Sequence, residues 1–70
     1  MKSAYDLLMT APDDQVTRMR LAWKAIADGD WLEAECKLRN VAVETEGQFS
    51  TDGLLLAEHC KARANEGAQA

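Results

Sequence analysis

The stretch Ala25–Glu35, AIADGDWLEAE, decides the fold. Its glycine, Gly29, follows an apolar-periodic segment, where a helix ends most readily in the left-handed conformation that glycine adopts without strain. Asp30 carries the short acceptor side chain of an N-cap, and Glu33 stands three residues on, in the pattern of a capping box. Asp28, Asp30, Glu33 and Glu35 therefore read as acids around a helix boundary. A calcium loop would spread oxygen ligands over about twelve residues, with glycine at the sixth. Here the glycine lies between the first two acids, and a helix begins at once. The stretch predicts a helical corner.

On the amino side, the pattern predicts a second helix from Pro12 to Asp28. Pro12 suits a first helical position, and Asp13 and Asp14 suit the positive end of the helix dipole. Val16, Met19, Trp23, Ile26 and Ala27 then recur at helical spacing as its apolar stripe. A short first helix precedes it, capped by Ser3 with Asp6 three residues later, with Tyr5, Leu8 and Met9 on one face. On the carboxyl side, the third helix runs from Trp31 to Glu46 and stops at Gly47. Trp31, Ala34, Leu38, Val41 and Ala42 form its main stripe. Leu32, Cys36 and Val43 form a second seam about a third of a turn away, from the advance of about 100° per residue.

The last helix is expected after Gly47-Gln48-Phe49-Ser50, with Ser50 as N-cap and Phe49 stapled onto Leu54. Leu56, Ala57, Cys60 and Ala64 make one stripe, and Leu55, His59 and Ala62 another. The helix is expected to end at Asn65, leaving residues 66–70 as a frayed tail. Short connections make sequential helices antiparallel neighbours, and no segment alternates as a strand would. The expectation is a single all-α domain over residues 1–65. It is a small antiparallel helical hairpin or three-helix bundle with a short N-terminal helix.

Gly29, Trp31, Ala34 and Leu38, within GDWLEAECKLRNVA (Gly29 to Ala42), resemble the corner and second helix of a tetratricopeptide repeat. Val41 is larger than that motif's usual alanine. In the preceding helix the repeat-like positions are Arg18, Leu21, Ala22 and Ala25, whereas the strong apolar residues are Met19, Trp23 and Ile26. The resemblance covers about a third of the chain, and no second copy follows, so it implies one helical hairpin and no array. It also implies protein binding, the use to which such repeats are put.

Composition narrows the function. A chain of 70 residues buries only about 60% of the surface its unfolded form exposes, so self-association is an expected source of support. Twelve acids against eight bases, a formal net charge of −4, disfavour a general nucleic-acid binder, which neutralises phosphates with a basic face. No stretch approaches the ~18 apolar residues of a membrane span, and the amino end lacks the apolar run of a signal peptide. These features predict a soluble, cytoplasmic protein.

Chemistry is sparse. Cys36 and Cys60, the two cysteines, read as reduced thiols, although one bridge between them is open to the sequence. With His59 they are too few for a four-ligand zinc site. Adjacent helical residues diverge, so His59 is badly placed as a base for Cys60, and no phosphate-cradling glycine motif occurs. No catalytic, cofactor or metal site is expected. Arg18, Arg20 and Lys24 offer an alternative reading as a nucleic-acid-associated transcriptional regulator. The acids at the start of the third helix would oppose groove entry in a helix-turn-helix. A metal- or redox-dependent switch on Cys36, Cys60 and His59 is a third reading.

The leading expectation is a non-catalytic interaction module: a small adaptor, regulator or inhibitor docking on a larger protein, as a homodimer. Its interface residues are expected to be Trp23, Leu32, Cys36, Val43, Leu55 and His59. The sequence leaves open whether the second seam is interface or internal core.

Overall fold

The computed structural model describes the backbone of residues 1–69 and the side chains of residues 1–67. Among these residues the chain is all-α: α1 (Ala4–Thr10), a 3₁₀ turn (Asp13–Gln15), α2 (Val16–Ala27), α3 (Trp31–Val43) and α4 (Gly47–Gln69). Each helix packs on its neighbour in sequence, most extensively α3 on α4, and α1 also touches α4.

The corner forms as its residues dictate. Gly29 has φ +75°. Its N–H donates to the Ile26 carbonyl (3.0 Å), and the Asp30 N–H to the Ala25 carbonyl (2.8 Å). These are the paired bonds that close a helix around a left-handed glycine. The Glu33 N–H donates to Asp30 Oδ1 (3.3 Å). Glu33 does not complete the box; its carboxylate pairs with Lys37 at 3.3 Å. At the amino end the Ser3–Asp6 box is complete, with both bonds at 3.2 Å.

The core holds Leu7, Met19, Leu38, Val41 and Cys60 among alanines 22, 34 and 57, all fully buried. Several expectations are corrected here. α1 buries Ala4 and Leu7, while Tyr5 and Met9 are exposed and Leu8 is half-buried. Pro12 precedes a 3₁₀ turn, and α2 starts only at Val16. The buried face of α2 is Met19, Ala22 and Ala25; Trp23 is 43% exposed, and Ala27 is exposed too. Met19 fills that face beside two small alanines, and the bulkier indole of Trp23 is left outside it.

α3 ends at Val43, short of Glu46, and Gly47, with φ +68°, opens α4 instead of stopping α3. Ser50 is therefore not an N-cap. Its hydroxyl donates to the Ala42 carbonyl (2.7 Å), and Thr45 Oγ1 donates to that of Val41 (2.8 Å). Two side chains thus add hydrogen bonds to the carbonyls at the end of α3. With the start of α4 moved, the Phe49–Leu54 staple loses its register; Phe49 packs against the core and Leu54 is exposed. The α4 backbone continues past Asn65 to Gln69; Ala70, the end of the expected tail, lies outside the described residues.

Candidate protein-interaction surface

α3 uses one arc to face α2 and α4, through Ala34, Leu38, Val41 and Ala42. The opposite arc, nearer half a turn than the expected third from the buried stripe, carries Leu32 and Val43, 67% and 81% exposed, with Cys36, also exposed, between them. On α4, Leu56, Ala57 and Cys60 are buried. Leu55, 51% exposed, and the exposed His59 stand on the outer side. Five of the six expected interface residues are thus exposed on α3 and α4. None of them belongs to the core.

Trp23 is not brought to them. It lies on α2, where its ring meets Tyr5 of α1 edge-on, with centroids 6.1 Å apart at 62°. Tyr5, Leu21 and Leu54 are further exposed large side chains that the sequence did not mark as interface residues. A cue for Tyr5 existed: α1 is short, and a seven-residue helix buries few positions.

The α3/α4 side is organised by polar contacts. Arg39 donates through Nε to Glu35 and through Nη2 to Glu58, both at 2.8 Å, joining the two helices. The hydrogen bond from Arg39, and then its charge, hold the Glu58 carboxyl below its ordinary value; the same partners raise Arg39 further. At the other end of α3, half-buried Trp31 meets the His59 ring edge-on at 6.4 Å and 87°. The Arg63 guanidinium lies 5.2 Å from the indole centroid, within range of a cation–π contact.

The remaining candidates separate. Both cysteines are free thiols, Cys36 exposed and Cys60 buried. Burial, reinforced by the charge of Glu35, pushes the Cys60 thiol up, away from the thiolate that nucleophilic or redox chemistry needs. Among the described residues no three His, Cys, Asp or Glu side chains group as metal ligands. Arg18 is half-buried and donates to Gln15 (3.4 Å), so it does not join Arg20 and Lys24 in one open basic face. Lys24 instead shares a cleft of about 270 Å³ between α2 and α3 with Asp28, Asp30, Glu33 and Lys37. No described helix is long and apolar enough to cross a membrane. Compared with known proteins, the chain matches no family profile, no curated relative and no solved structure.

Proposed function

We propose that this chain is a non-catalytic protein-interaction module of the cytoplasm that docks on a larger protein as a homodimer. One observation carries the reading: Leu32, Val43 and Leu55 stay exposed on α3 and α4 although the core beneath is closed. Leu32 and Val43, with Cys36 between them, line one exposed arc of α3, and unpartnered apolar surface of this kind marks an interaction site. The single repeat-like hairpin leans the same way. In this reading Leu32, Cys36, Val43, Leu55 and His59 serve self-association, and Trp23 with Tyr5 anchors the larger protein, as exposed aromatic side chains commonly do.

Sedimentation equilibrium from roughly micromolar to hundred-micromolar protein, reducing and with chelator, tests the homodimer: a mass rising towards twice the chain's is expected, and a monomer throughout would remove it. Docking is tested by a photo-cross-linking residue at Tyr5 or Trp23 in the producing cells, with Asn65 as control. Adducts heavier than the dimer, specific to the two aromatic positions, are expected; their absence there would remove the docking role.

A further inference from the structure

The exposed aromatic pair of α1 and α2 involves the one helix of this acidic chain that carries no acid. Tyr5 and Trp23 meet edge-on, with ring centroids 6.1 Å apart, and both side chains stay exposed. Tyr5 stands near the start of α1 and Trp23 near the end of α2, so with a short connection the two helices run antiparallel. Met9 follows Tyr5 by one turn, and Arg20 precedes Trp23 by one turn. Both therefore lie next to the ring pair on the side of the connection, and both are exposed. Tyr5, Met9, Trp23 and Arg20 thus make one outer strip shared by two helices.

Charge says what the strip would accept. Arg18, Arg20 and Lys24 lie on α2, and all twelve acids of the chain lie outside it. On α3 and α4, Lys37 is paired with Glu33, Arg39 with Glu35 and Glu58, and Arg63 with Glu66. Among the described residues, Arg20 and Lys24 form no such pair. The acid of α1, Asp6, is occupied in the helix cap, where it accepts from the Ser3 N–H at 3.2 Å. Asp13 and Asp14 lie beyond the Met9 end, in the 3₁₀ turn.

We propose that the occupant of this strip is an acidic amphipathic helix of the larger protein. Its apolar side chains would cover Tyr5, Trp23 and Met9, and its carboxylates would meet Arg20 and Lys24. This rests on the docking role and supplies the partner's chemistry. Two antiparallel helices present ridges along which a third helix can lie, with its apolar face inward. Met9 adds an adaptable side chain to two rigid rings. A nucleic-acid strand fits less well, because it needs many cations along its phosphates, and outside α2 this chain is strongly acidic.

Two designed amphipathic peptides of about 18 residues, five helical turns, test the proposal. They share an apolar face of leucine and phenylalanine and differ in a polar face of glutamate or of lysine. Each is titrated at low salt into the isotope-labelled chain while the two indole N–H resonances are followed, that of Trp23 being assigned by its loss in Trp23→Phe. The net charge of −4 alone favours the lysine peptide. The glutamate peptide should nevertheless bind about tenfold more tightly, shifting the Trp23 indole and leaving that of Trp31 in place. Arg20→Glu, at an exposed position, should abolish the preference with circular dichroism unchanged. Salt at about 0.5 M should weaken the glutamate complex about tenfold through screening. A lysine peptide bound at Trp23 as tightly or more tightly overturns the acidic partner and leaves the docking face standing. No shift at Trp23 with either peptide also overturns the proposal, and the docking role then stands or falls with the cross-linking at Tyr5 and Trp23. A short oligothymidylate that shifts Trp23 and binds more tightly than the glutamate peptide assigns the strip to single-stranded nucleic acid, which overturns the proposal too.

Discussion

Cys36 and Cys60 show how position alone divides two identical groups. Cys60 is fully buried among Leu7, Leu38 and Leu56 in the core, and burial raises its thiol; Cys36 faces solvent. Native-state alkylation should therefore modify Cys36 promptly and Cys60 at least about a hundredfold more slowly, because reaction needs an exposed thiolate. Mass spectrometry of the time course would show it, and equal rates would contradict the burial. The glycines divide in the same way. At Gly29, with φ +75°, an alanine adds about 1–2 kcal/mol of left-handed strain although nothing blocks its Cβ. At Gly53, inside α4, a Cβ would lie 3.7 Å from that of Ala42, an ordinary contact. Gly53→Ala should therefore stabilise by about 0.5–1 kcal/mol through backbone entropy and helix propensity. Thermal melts of the two variants should move in opposite directions.

Among the elements, the join of α3 to α4 carries an ion pair, Arg39 with Glu58, at its outer edge. The unfolded chain protonates Glu58 near its ordinary 4.5, whereas Arg39 holds the folded carboxyl below that value. Acid therefore favours unfolding: this contribution is complete above pH 4.5 and is lost as pH falls through the lowered folded value. The melting temperature of Glu58→Gln should fall less below pH 4.5 than that of the wild type, and parallel profiles would show that the bridge contributes nothing. The elements also show what the sequence could reveal. The corner at Gly29 and Asp30 was legible because every bond it needs is local. The outer seam of α3 was legible because Leu32, Cys36 and Val43 keep helical spacing apart from the buried stripe. The face of α2 was misread because large residues outweigh small ones in a periodicity, yet the fold buries Ala22 and Ala25 beside Met19 and leaves Trp23 outside. The start of α4 was misread because Ser50 finds its acceptor on another helix, at Ala42, a pairing invisible to local pattern. Trp23 was expected at an interface and is exposed, but its place beside Tyr5, away from the α3/α4 side, depends on how α1 crosses α2.

For the whole molecule, the exposed surface of 4462 Å² is close to the roughly 4,300 Å² that size scaling gives for a monomer of this mass. The chain therefore folds to ordinary compactness with a core in which alanines share the buried positions with larger side chains such as Leu7, Met19 and Leu38. Most of its packing joins helices adjacent in sequence; the contact of α1 with α4 is the one between the first and last elements. Closing a long loop costs chain entropy before its contacts are made, so α2, α3 and α4 can assemble at the rate-limiting step while α1 docks afterwards. Leu7→Val, removing about 1 kcal/mol of burial in α1, should then raise the unfolding rate about fivefold and leave the refolding rate within a factor of two. Slower refolding in a stopped-flow chevron would place α1 in the folding nucleus. If α1 docks last, it is also the first helix to open. The native chain then carries a built-in route of sub-global opening, with amide hydrogens of α1 exchanging ahead of those in α3.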